Sequence, residues 1–291
     1  MFYGSIPALV TPFSGDCVDE DSLCEFIEWQ ITEGSNGLVP CGTTGETPTL
    51  SNEEQHRIFK LAVEQANGRV PVIAGCGSNS LTTALQHLEA AKDAGADAAL
   101  VVMGYYNRPS QAGLLATFEA LSAATKLPII VYNVPGRTVV DISVETMAEI
   151  AKLPNIAGVK DATGKLDRVT AHRLACGEDF VQLSGNDETA LGYNAMGGVG
   201  CISVSANVAP RLCSEFQTAT REGRWDDALK LQDKLYPLHA ALFSDASPGP
   251  TKYALSRVLP GYPMDLRLPL TPPSEASRRA VDAALEHAGL I

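Results

Sequence analysis

The 291-residue sequence predicts a (β/α)8 barrel with an appended C-terminal helical region. Three observations predict it. Short apolar runs recur at intervals of about 20 to 33 residues, with amphipathic stretches between them. Several runs (VPVIAG, AALVVM, LPIIVY) are continuously apolar rather than alternating, as parallel strands covered on both faces require. Eight such strand–helix units fill one closed barrel. A doubly wound open sheet is the rival, but it usually carries a glycine fingerprint after its first strand, and here that strand runs into Thr11-Pro12-Phe13.

In order, strands are expected near residues 5–10, 37–39, 70–74, 98–103, 128–132, 156–160, 181–184 and 201–204. The helix before the second strand carries Leu23, Phe26, Ile27 and Ile31 on one face and stops at Gly34. The next opens with Ser51 and Glu54, a capping box, and continues with apolar Ile58, Leu61 and Ala62. From about residue 224 the strand pattern ends. Residues 225–243, 251–259 and 274–288 read as helices broken by SPGP and LPLTPP. The expected organisation is a catalytic barrel over 1–223 with a helical region over 224–291 packed on it.

The chain has 22 basic and 34 acidic residues, a net charge of −12, which disfavours nucleic acid and an anionic membrane surface as partners. The seven cysteines are scattered without a Cys-x-x-Cys pair, which speaks against a zinc knuckle and for reduced thiols in the cytoplasm. The N-terminal stretch lacks a basic region and has two prolines where a signal peptide has its apolar core. No apolar run is long enough to span a bilayer. The five histidines lack metal-ligand spacing and are expected in helix-surface or capping roles. Gly197, Gly198 and Gly200 match neither a P-loop nor a dinucleotide fingerprint, and Gly-x-Ser-x-Gly is absent. No metal and no cofactor is implied.

Barrel enzymes place their chemistry at the C-terminal ends of the strands. There the sequence has Gly42-Thr43-Thr44-Gly45-Glu46, Tyr105-Tyr106-Asn107, Tyr132 with Arg137 five residues on, Lys160-Asp161, Ser184-Gly185-Asn186-Asp187, and Ile202 in the last strand. Lys160 closes an apolar run. Burial there favours its free amine, which forms Schiff bases with carbonyl substrates. The alternative is a strand-end lysine reaching solvent or paired with Asp161. Nearby tyrosines can shuttle protons to an imine. Arg137 offers a bidentate fork to a carboxylate, or is an ordinary solvated loop arginine.

Five motifs in order, GTTGE at 42–46, YYN at 105–107, YNVPGRT at 132–138, GVKDATG at 158–164 and SGND at 184–187, make the chain resemble the dihydrodipicolinate synthases of the class I aldolase superfamily that includes N-acetylneuraminate lyase. The resemblance covers nearly the whole chain. It implies that pyruvate forms an imine on Lys160 and condenses with L-aspartate 4-semialdehyde, on the diaminopimelate route to lysine. It implies a proton relay of Tyr132, Thr43 and Tyr106, the last reaching into a neighbouring subunit. Thr44 is expected to hold the pyruvate carboxylate, Gly185 and Ile202 to line that pocket, and Arg137 to receive the semialdehyde carboxylate. A homotetramer built from two tight dimers is expected. The sister reading is an aldolase or dehydratase acting on another 2-oxo acid; a non-catalytic barrel is the reading from a different class.

There are departures from the pattern. Met103-Gly104 stands where Thr-Pro is usual, which predicts a looser loop behind Tyr106, and Ser247-Pro248 replaces Asn-Pro. Asn79 and Tyr105 match the family's lysine feedback site, but Gln55 and Thr83 stand where feedback-sensitive bacterial members have His and Glu. Weak inhibition by L-lysine is expected.

Overall fold

The structure, a computed structural model, describes residues 2–291. The chain begins with β1 (Gly4–Pro7), a small hairpin of β2 (Phe13–Ser14) and β3 (Cys17–Val18), and helix α1 (Glu20–Thr32). There follow α2 (Asn52–Ala66), β4 (Ile73–Gly75), α3 (Leu81–Ala94), β5 (Ala98–Val102), α4 (Gln111–Ala124) and β6 (Ile129–Asn133). After a one-turn α5 (Pro135–Thr138) come α6 (Val144–Ala151), β7 (Ile156–Asp161), α7 (Asp167–Cys176), β8 (Val181–Ser184), α8 (Ala190–Ala195) and β9 (Gly200–Ser203). The helices α9 (Pro210–Arg221), α10 (Trp225–Ala241), α11 (Gly249–Val258) and α12 (Glu275–Ala288) complete the chain.

The parallel sheet runs β1-β9-β8-β7-β6-β5-β4. Its eighth place is filled by residues 37–39, which pair with Ala8 on one side and Val72 on the other through single parallel bridges, closing the barrel. This stretch is shorter than a regular strand for a chemical reason. Pro40 and Pro71 lack the N–H groups that would extend the ladder. Pro71 also delays β4, which begins at Ile73 rather than residue 70.

The expected caps are present. Ser51 N–H donates to Glu54 Oε2 at 2.9 Å and Glu54 N–H to Ser51 Oγ at 3.2 Å. Helix α1 opens on Asp19, whose carboxylate accepts from Ser22 N–H at 3.0 Å, and Gly34 turns just past its end at φ +100°. Helix α10 packs on α9 and α12, and α12 on α11.

Strand alternation sorts the core into two layers. Ile6, Leu100, Ile130, Tyr132, Leu183 and Ile202 fill the barrel interior. Val101, Val131, Val159 and Cys201 point outward, into the layer between sheet and helices. All seven cysteines are unpaired.

Candidate active site

Lys160 is the penultimate residue of β7 and shares the inward phase of its strand with Gly158. It is 6% exposed, so it does not reach freely into solvent. The register aligns Lys160 with Tyr132 on β6 and Leu183 on β8. Its Nζ lies 4.2 Å from the centroid of the Tyr132 ring. A lysine in this layer sits against apolar walls with one phenol beside it, an arrangement that suits attack on a carbonyl carbon followed by short proton transfers.

The adjoining residues Asp161 and Asn133 face the other way, toward the helices. Asp161 accepts from Thr163 N–H at 2.8 Å and Thr163 Oγ1–H at 2.6 Å, and lies 3.4 Å from Arg168 Nε. Asn133 Nδ2 donates to Asp141 at 2.8 Å, and Arg168 binds both Asp141 oxygens at 2.7 and 2.8 Å. Burial raises the Asp141 carboxyl, but the Asn133 hydrogen bond and the Arg168 charge outweigh it and hold it below the usual range. This polar group braces the ends of β6 and β7 from outside. Its signal in the sequence was a polar residue directly after each of Tyr132 and Lys160 in otherwise apolar strands.

A cavity of about 390 Å³ opens at the same end of the barrel. Thr43, Tyr132 and Arg137 line it, as do Tyr105, Gln55 and Thr83. Thr43 begins a single 3-10 turn, Thr43–Gly45, which Glu46 closes by donating its N–H to Thr43 O at 3.2 Å. Gly45 belongs there because a Cβ would come within 3.0 Å of Leu9 O, while Thr11 Oγ1 already donates to Gly45 O at 2.8 Å. Thr44 is buried in that turn. Arg137 stands exposed at the mouth, on α5.

Gly185 follows β8 and is the second position that needs glycine: a Cβ would meet Ala162 Cβ at 2.7 Å. Its N–H donates to Asp161 O at 2.7 Å, holding the end of β8 beside β7. Ile202 on β9 is buried in the interior layer with Tyr132. Lys160, Thr44, Gly185 and Ile202 do not line this cavity: Lys160, Thr44 and Ile202 are buried and Gly185 is half-buried, and Lys160 and Ile202 adjoin it through Tyr132. Tyr106 is not brought to this cavity. It is 92% exposed, at φ +68°, and projects away from its own barrel.

Competing nucleophiles are quiet. Cys41 lines the cavity, but burial pushes its thiol well up, with Cys76 adding to the shift. Of the five histidines, His287 is exposed on α12 as expected and His56 is half-buried on α2, but three depart from the expected surface and capping roles. His87, His172 and His239 are buried on α3, α7 and α10, with the His87 ring 5.9 Å from that of His56 on α2 and His172 Nδ1 4.0 Å from Asp161 Oδ2 on β7. Partners await two of them: His87 Nε2 is 3.0 Å from Asn52 Oδ1, and His239 Nδ1 is 2.7 Å from Ser205 Oγ.

Residues 1–288 match the dihydrodipicolinate synthetase family. A 4-hydroxy-tetrahydrodipicolinate synthase of Rhizorhabdus wittichii is 65% identical over 290 residues, with all of both chains covered. One from Zymomonas mobilis is 58% identical over 291 residues, again with full coverage. Among solved structures, the chloride-inhibited dihydrodipicolinate synthase of Acinetobacter baumannii complexed with pyruvate superposes with a TM-score of 0.97 at 44% identity, covering both chains completely. On sequence and fold together, the chain belongs to the dihydrodipicolinate synthetase family.

Proposed function

We infer that this chain is a Schiff-base lyase that condenses pyruvate with L-aspartate 4-semialdehyde to 4-hydroxy-tetrahydrodipicolinate, in diaminopimelate and lysine biosynthesis. The observation that carries this reading is the buried Lys160 amine beside the ring of Tyr132, which lines a cavity that Arg137 also lines.

In this reading the Lys160 amine adds to C2 of pyruvate and water leaves, giving an iminium. The iminium withdraws electrons, and a proton leaves the methyl carbon to form an enamine. That carbon attacks the aldehyde carbon of the semialdehyde, whose oxygen takes a proton. The semialdehyde amino group then attacks the imine carbon, closes the ring and expels the Lys160 amine. Tyr132 and Thr43 relay the protons, with Tyr106 supplied to the neighbouring subunit's site. Thr44 holds the pyruvate carboxylate, Gly185 and Ile202 line its pocket, and Arg137 receives the carboxylate of the semialdehyde.

The outward Tyr106 supports a tight dimer, and we propose a homotetramer built from two such dimers; sedimentation of the purified chain tests it. Residues 1–223 act as the catalytic barrel, with 224–291 as its helical support. Seven unpaired thiols suit the reducing cytoplasm, where we place the enzyme.

The deciding experiment couples the condensation to the downstream reductase and, separately, traps pyruvate on the protein with borohydride. Turnover with an adduct at Lys160 is expected. An adduct without turnover on the semialdehyde overturns the acceptor, and absence of any adduct overturns the mechanism.

A further inference from the structure

The side chains of Glu46 and Lys252 form an ion pair at 2.6 Å, and both are fully buried. Nothing in the reaction described above uses either. Burying two charges costs free energy that a pair of apolar side chains would not, so the pair calls for a role beyond packing.

Its surroundings supply one. Glu46 closes the Thr43–Gly45 turn and is itself left-handed, at φ +58°, a conformation unfavourable for a residue with a side chain. Its carbonyl accepts from Thr49 N–H and Thr49 Oγ1–H, both at 3.0 Å. Its carboxylate meets Lys252 Nζ on one oxygen and accepts from Arg267 N–H at 3.2 Å on the other. Lys252, on α11, also donates to Asp265 O at 2.6 Å and lies 4.3 Å from the centroid of the Phe13 ring. The Arg267 guanidinium lies 4.4 Å from the same ring and donates to Thr49 O at 2.8 Å. A cluster from the C-terminal region thus grips the chain just after Thr43 and Thr44, at Glu46 and at Thr49.

We propose that Glu46 and Lys252 are positioning residues for the reaction: their buried pair fixes the left-handed turn of Glu46 and so aims Thr43 at the cavity and Thr44 at the pyruvate carboxylate. The inference rests on the roles proposed for those two threonines. It assigns the helical region a part in catalysis through geometry alone, since neither Glu46 nor Lys252 lines the cavity.

The test uses the full-length chain with Glu46→Gln, Lys252→Met and the double variant Glu46→Gln/Lys252→Met. Borohydride trapping at saturating pyruvate counts the sites that still form the imine, and kcat is expressed per trapped site. All three variants are expected to raise KM for pyruvate about tenfold to a hundredfold and to lower kcat per trapped site, the scale set by a small misplacement of a catalytic group. A role in stability alone removes sites from the titration and leaves KM for pyruvate at the wild-type value on those that remain; that result overturns the proposal. Should a single variant fail to fold because it orphans a buried charge, the double variant, which buries none, gives the same reading. A wild-type chain that traps no pyruvate overturns the proposed reaction and this inference together. Wild-type trapping with an unchanged KM in the variants overturns this inference alone.

Discussion

Lys160 and Tyr132 are cross-strand partners on β7 and β6, with the lysine nitrogen 4.2 Å from the centre of the phenol ring. The pairing is a consequence of register. In a parallel sheet, residues aligned across two strands point to the same face, so the position that buries Lys160 also delivers Tyr132 to it. The outward neighbours Asn133 and Asp161 hold that register through Asp141 and Arg168.

Replacing Tyr132 with Phe keeps the ring against Lys160 and removes only the hydroxyl. Turnover is expected to fall about 10²- to 10⁴-fold, the range of general acid–base catalysis. Borohydride trapping of pyruvate at saturation should persist. A Tyr132→Phe enzyme with near-normal kcat removes this phenol from the proton relay.

Arg137 is exposed at the mouth, so its contact with a substrate carboxylate is partly solvated. For Arg137→Ala the expected loss is that of a charged hydrogen bond, about 1.5–3 kcal/mol in transition-state binding. It should fall on kcat/KM for the semialdehyde, with pyruvate trapping unchanged. Equal losses for both substrates speak against an acceptor site at Arg137.

Inhibition by L-lysine is expected to be weak. The Gln55 side chain is committed to a backbone acceptor, donating Nε2–H to Gly75 O at 2.6 Å, and Thr83 brings a hydroxyl to the cavity in place of a carboxylate. An effector ammonium therefore lacks a charged partner worth about 1.5–3 kcal/mol. Initial rates across a lysine series measure this, and Thr83→Glu should increase sensitivity. Half-inhibition of the wild type well below millimolar lysine contradicts the expectation.

Stability should decline as the pH falls below about 6.5, where an unfolded histidine takes up its proton. Burial holds His87, His172 and His239 below that value in the folded chain. His56 adds to the effect at His87, whereas Asp161 opposes it at His172 and Asp187 opposes it at His239. Between the folded and unfolded values the unfolded chain binds more protons, so acidification favours unfolding. The slope is at most about 1.4 kcal/mol per pH unit for each histidine. Urea midpoints followed from about pH 7.5 to 5.5 measure it, and His172→Gln should flatten the curve. A midpoint that stays constant over that window overturns the assignment.

Much of the site was legible because barrel chemistry follows chain order. A lysine ending an apolar run and a hydroxyl pair between glycines announce themselves by position, as Lys160 and Thr43-Thr44 did. What stayed hidden depends on faces and long-range contacts. A helix pattern read for its apolar stripe does not show that His87, His172 and His239 are buried. The second strand shrank to two bridges because Pro40 and Pro71 each remove a donor, a local fact that the apolar pattern overrode. The Glu46–Lys252 pair joins residues far apart in the chain, and no spacing rule connects them.

Those two bridges have a further meaning. With residues 37–39 bonded to both neighbours, the barrel sheet has no free flank on which another strand could be laid. A partner, including a second copy of this chain, therefore cannot add a strand to the barrel sheet and must bind elsewhere on the surface. The backbone of the barrel cannot template its own extension, so assembly is governed by surface chemistry, and a surface substitution can abolish it without disturbing the fold.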